Sequence, residues 1–132
     1  MFELTINGKV YQFNFGFGFL RDLDPTITRK IDGVTGKVEK LGVQFAIAGI
    51  IDGDVEDLVN VLDFGNKHSG GERISRSDIE KYLESPETNV EELFEKVLDF
   101  LEGANCTKKT VANLQKAVEE QKAKAEAENE QN

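Results

Sequence analysis

Between Phe2 and Phe15 apolar and polar side chains alternate on either side of an Asn-Gly pair, and this pattern narrows the fold more than any other. Phe2, Leu4 and Ile6 alternate with Glu3 and Thr5. After Asn7-Gly8, Tyr11, Phe13 and Phe15 alternate with Val10, Gln12 and Asn14. Successive side chains of a strand point to opposite faces, so the pattern predicts two half-buried strands. Asn-Gly readily takes up the two positive φ angles of a type I′ turn, whose twist suits a hairpin. A lone hairpin is marginal in water. It must pack on something, and the rest of the chain reads as helices.

Gly16 and Gly18 break the strand, after which Phe17, Leu20 and Leu23 are spaced to lie along one side of a short helix. Pro25 does not suit the middle of that helix and is expected to open a second one through Ile27 and Ile31. Asp32 to Lys40 is polar, holds Gly33 and Gly36, and reads as a surface loop. Leu41 to Ile51 is apolar most of the way round, as in a helix buried on several sides. A central strand is the rival there, but the length and the run Gln44 to Ala48 favour helix.

Four polar residues then stand where N-caps stand. Asp54 with Asp57 precedes the stripe Val55, Leu58, Val59 and Leu62, and Ser75 with Asp78 precedes Ile79, Tyr82 and Leu83. Asn89 precedes Val90, Leu93, Phe94, Val97, Leu98 and Leu101, and Thr107 precedes Val111, Leu114 and Val118. A capping side chain just before an i, i+3, i+4, i+7 stripe marks a helix start. Pro86 and Gly103 mark two of the ends. The expected fold is α+β and mostly α, a hairpin over residues 2–15 packed on a small bundle of short helices. Residues 1–118 form one globular domain. From Glu119 to Asn132 only Glu, Gln, Lys, Ala and Asn occur. That stretch has helix propensity but nothing large to bury, so 119–132 is a polar tail, either helical or disordered.

With 25 acidic and 16 basic side chains the net charge is -9. Such a surface repels phosphate backbones, so nucleic acid is not an expected partner. The single cysteine, Cys106, cannot form an internal disulfide. No secretory leader pattern and no apolar run of the ~20 residues that span a bilayer is present, so the expectation is cytoplasmic, with no membrane partner. His68 is the only histidine, and zinc sites combine several His or Cys ligands at set spacings. Asp52 to Asp63 resembles a calcium loop in its acidity, but the sixth and twelfth positions are Asp57 and Asp63, where glycine and glutamate belong. The acids more simply cap a helix. Gly16-Phe17-Gly18 lacks the third glycine of a dinucleotide loop, and no Gly-Lys-Ser/Thr follows Ser69-Gly70-Gly71. Arg73, Arg76 and Lys81 are offset by Asp78, Glu80 and Glu84. No catalytic set, cofactor loop or metal site emerges, and the chain is expected not to be an enzyme.

The stretch Phe2-Glu-Leu-Thr-Ile-Asn-Gly-Lys-Val-Tyr-Gln-Phe-Asn-Phe-Gly-Phe-Gly-Phe-Leu-Arg-Asp-Leu-Asp24 resembles the start of tail assembly chaperones from long-tailed phages and prophages of Gram-positive bacteria. These begin with a similar short hairpin followed by a Phe-Gly-Phe-Leu segment. The resemblance implies a chaperone that binds the tape measure protein and keeps it soluble while tail tube protein polymerises around it. It also implies work in the cytoplasm of the bacterial host, absence from the mature virion and, as often in this family, a minor, longer frameshifted product. The alternatives are a phage structural protein, such as a head–tail connector or tail terminator, and a small regulatory or DNA-binding protein.

A chaperone for an extended helical client should expose apolar surface. Phe17 and Phe19 are two apart, and positions two apart do not share a helix face, so one ring is expected to point away from the core. Val111, Leu114 and Val118 form a narrow stripe suited to the chain's own domain, to a second copy in a homo-oligomer, or to the client. These five residues are the candidate partner-binding set.

Overall fold

The computed structural model describes residues 1–33 and 36–130. Strands β1 (Phe2–Ile6) and β2 (Lys9–Phe13) pair antiparallel, with Phe2 opposite Phe13 and Ile6 opposite Lys9. Asn7 and Gly8 join them at φ 52° and 78°, the two positive angles that the hairpin requires. Phe2, Leu4 and Ile6 are buried while Glu3 and Thr5 face out.

The hairpin delivers its aromatic rings to the helices. Helix α1 (Phe17–Leu23) turns back from β2 and sends Phe19 and Leu23 inward. The Phe15 and Phe19 rings meet edge to face with centroids 5.1 Å apart, and Phe2 and Phe15 both meet Phe100, at 5.6 and 5.7 Å. Edge-to-face contacts between aromatic rings add to the energy of their burial. The expected inward side of α1 was Phe17, Leu20 and Leu23. In the structure Phe19 and Leu23, one helical turn apart, point inward and Phe17 points out.

Pro25 does not open a second helix. It lies within a 3₁₀ turn, Asp24–Thr26, after which Ile27 is extended at φ -130°. Ile27 and Ile31 then bracket a strand, β3 (Thr28–Lys30), which pairs with β4 (Val38–Lys40) in a second hairpin. The expected surface loop thus contains a strand; Val34 and Thr35 lie outside the described residues.

Helix α2 (Gly42–Asp52) buries Val43, Ala46, Ile47 and Ile50. Its first residue needs to be glycine, since a Cβ at Gly42 would stand 1.9 Å from the Leu23 carbonyl oxygen. Gly53 ends α2 in the left-handed region at φ 81°. The next three helices begin at the capping residues read from the sequence. Asp54 Oδ1 accepts from the Glu56 and Asp57 amides at the start of α3 (Val55–Lys67). Ser75 caps α4 (Arg76–Glu84), and Asn89 caps α5 (Val90–Gly103). Before α6 (Lys108–Glu130) the expected cap behaves otherwise. Thr107 is fully buried, and its hydroxyl donates to the Leu101 carbonyl at 2.7 Å, fastening the end of α5 to the start of α6. Helix α6 continues unbroken past Val118, and its side chains from Glu119 to Glu128 are exposed.

Helix α3 occupies the centre of the fold. It packs on β2, α1, α2 and α4, and α2 in turn packs on α5 and α6. The result is a mostly helical bundle capped by the N-terminal hairpin.

Candidate partner-binding surface

The five candidate residues separate into two exposed or half-exposed groups and a buried pair. Phe17, the first residue of α1, is 68% exposed, the most open large apolar side chain among the described residues. Its ring is held against Arg21, whose guanidinium carbon lies 5.6 Å from the ring centroid one turn along. Phe19 is 0% exposed and Val111 1%. Both are core residues, which takes them off the accessible surface. The reason is local: Phe19 falls on the side of α1 that meets Phe15, and Val111 on the side of α6 that meets the bundle. Leu114 and Val118 are half-buried one and two turns beyond Val111. Helix α1 packs on α2 and α3, whereas α6 packs on α2 and α5, so α2 separates the two groups.

Sequence reading missed Phe45. It was counted into a helix buried on several sides, yet it is 53% exposed. The signal was its neighbour. Gln44 marks the outward side of α2, and Phe45 is the next residue round, while Val43, Ala46 and Ile47 face inward. Val55, expected in the α3 stripe, is likewise 52% exposed at the first position of its helix.

His68, Asp54, Arg73 and Arg76 have structural partners. His68 Nε2 lies 2.6 Å from Asp22 Oδ2, and its ring packs over Gly18, where a Cβ would come within 2.4 Å of Nδ1. This contact fixes α1 to the end of α3. Cys106 stands at the α5–α6 junction beside Met1, Phe15 and Phe100. Of the acidic run, Asp54 caps α3 and Asp57 turns back over Gly49. Burial, and then the charge of Asp54, raise the Asp57 carboxyl above its ordinary pKa, while a hydrogen bond with Asn60 acts in the opposite direction. Among the described residues no three His, Cys, Asp or Glu side chains are grouped to hold a metal ion. No helix among them is long and apolar enough to cross a membrane.

Among the described residues, Phe17, Phe45 and Val55 stand as isolated apolar side chains on a charged helical surface. The family model for "Phage tail assembly chaperone protein, TAC" matches residues 3–116. The chain belongs to the phage tail assembly chaperone family. The match runs from β1 into α6 and takes in Phe13, Phe15, Phe19 and Phe100 of the aromatic cluster, so the family likeness extends well past the Phe-Gly-Phe-Leu segment. No curated protein and no solved structure matches this chaperone.

Proposed function

We propose that this chain binds the tape measure protein of its phage and keeps that client soluble while tail tube protein assembles around it. The observation that carries the proposal is Phe17, a large aromatic ring 68% exposed at the start of α1 in a member of the tail assembly chaperone family. Removing an apolar ring from water is favourable, so an exposed one is a natural anchor for an apolar client helix. Phe45 on α2, and Leu114 and Val118 on α6, offer further apolar contacts. The negative net charge favours solubility of the chaperone and its loaded client.

The role needs no catalysis and no cofactor. Its setting is the cytoplasm of a Gram-positive host during assembly, and the chaperone leaves before the virion is complete. Family membership favours this reading over a head–tail connector or tail terminator, which would remain in the particle.

Co-expression with the tape measure protein of the same phage tests the proposal. The client should move from the insoluble to the soluble fraction when this chain is present, and the two should co-purify. A client that is equally insoluble with and without the chain would end the proposal.

A further inference from the structure

The β3–β4 hairpin takes no part in the surface described above. All its strand residues are exposed, and beyond the 3₁₀ turn at its base no element packs substantially on it. A two-stranded hairpin alone is marginal in water. This one also leaves Ile27, Ile31 and Val38 41%, 41% and 49% exposed. Side-chain alternation gives it two unlike faces. Arg29 and Glu39 stand opposite each other on one face and form an ion pair. The other face carries Thr28, Lys30, Val38 and Lys40, with no acidic residue. Among the described residues neither of these lysines has an ion-pair partner. From Ile27 to Leu41 four basic side chains (Arg29, Lys30, Lys37, Lys40) stand against two acidic ones (Asp32, Glu39). The segment is therefore +2 in a chain of -9, and the remainder is -11.

We propose that this hairpin is a self-association arm whose Lys30/Lys40 face docks on the outer side of α5 in a second copy of the chain. Charge selects the occupant. Along the exposed side of α5, Glu91, Glu95 and Asp99 follow one another at i, i+4 spacing. Among the described residues none of the three has a cationic partner, while neighbouring Glu92 is held by Lys96 at 3.1 Å. Like charges at i, i+4 destabilise their own helix, and two lysines from another copy relieve that repulsion. Half-buried Phe94 and Leu98 beside the stripe give Val38 an apolar seat. The contact joins unlike surfaces, arm to helix. A copy that lends its arm keeps its own α5 free, so association is not confined to pairs.

Sedimentation velocity of the full chain over a range of concentrations, at low and at high salt, tests the proposal. Association should rise with concentration. It should weaken about tenfold or more on adding salt, as the screening length falls from about 10 Å at 0.1 M to about 3 Å at 1 M. The arm variant Lys30→Glu/Lys40→Glu and the helix variant Glu91→Lys/Glu95→Lys/Asp99→Lys should each be monomeric alone. Mixed, they should associate again, because each arm then meets a helix of opposite charge. Melting curves establish that both variants are folded; should the helix variant not fold, the arm variant and the salt series decide the matter. A wild type that stays monomeric at every concentration and salt, association that ignores both salt and the arm variant, or a mixture of folded variants that stays monomeric would overturn the proposal.

Discussion

The side-chain oxygen of Asn66 accepts the Ile74 amide hydrogen at 3.0 Å. Arg73 donates to the same oxygen at 2.6 Å, while the Asn66 amide nitrogen donates to the carbonyls of Gln12 and Glu72 at 3.1 and 3.0 Å. One fully buried carboxamide near the end of α3 therefore joins β2 to the loop that leads into α4. Carrying both donor and acceptor on so short a stem is particular to asparagine. Replacing Asn66 with Ala removes the partners of three backbone groups. The expected loss is about 2–3 kcal/mol, or roughly 10 °C in Tm for a chain of this size. Asn66→Asp should fare no better, because its carboxylate would face two carbonyl oxygens. Thermal melts of both variants check this, and an unchanged Tm for Asn66→Ala would contradict it.

Phe17 and Phe19 should respond oppositely to the same change. Phe19→Ser removes a buried ring packed on Phe15 and should cost about 3–5 kcal/mol, lowering Tm by 10 °C or more on the scale of roughly 4 °C per kcal/mol. Phe17→Ser alters an exposed ring and should leave Tm within about 2 °C of wild type, yet reduce the amount of tape measure protein kept soluble. A large fall in Tm for Phe17→Ser would make that ring structural.

The pH dependence of stability should show Asp57. Its carboxyl is raised from an ordinary value of 3.8, chiefly by burial and next by Asp54. The folded chain therefore holds this proton to higher pH than the unfolded chain does. Stability from this group is greatest below 3.8, declines as pH rises through the raised value, and stays lower above it. Asp57→Asn should accordingly gain stability relative to wild type at neutral pH, with the gain shrinking in acid. Melting both proteins across that range checks the sign; a constant difference at every pH would dissociate it from Asp57 titration.

Truncation after Val118 removes only exposed side chains among those described and lies beyond the end of the family match at residue 116. The shortened chain should melt within about 2 °C of the full one and still hold the client in solution. Loss of client binding at unchanged Tm would instead place part of the binding surface on the polar end of α6.

The N-terminal hairpin and helices α3, α4 and α5 were legible because each carries a local marker with one physical meaning. Asn7-Gly8 supplies the positive φ angles, and Asp54, Ser75 and Asn89 supply amide acceptors at helix starts. The β3–β4 arm was not legible. All its strand residues are exposed, so they lack the alternation of buried and exposed residues that revealed β1 and β2. Ile27 and Ile31, four apart, imitate a helical stripe, and the turn glycines Gly33 and Gly36, at φ 77° and 80°, read as loop. On the candidate surface, spacing dictated that Phe17 and Phe19 could not both face inward. It did not say which would, because that depends on the ring of Phe15 arriving from another element. Phe45 was hidden among apolar neighbours, since composition along a helix does not reveal how many of its sides are covered.

Both ends of the arm are anchored where they leave the body. The Leu41 amide donates to the Ile27 carbonyl at 2.8 Å, and Gly42 is pressed against the Leu23 carbonyl just before the 3₁₀ turn. Residues between those anchors contribute no fully buried side chain among those described. The arm is thus mechanically separate from the core: it can be lengthened, shortened or exchanged without repacking the bundle. Chains with the same body and different arms would fold alike while reaching different distances, so the span of this hairpin acts as an adjustable spacer between whatever it connects.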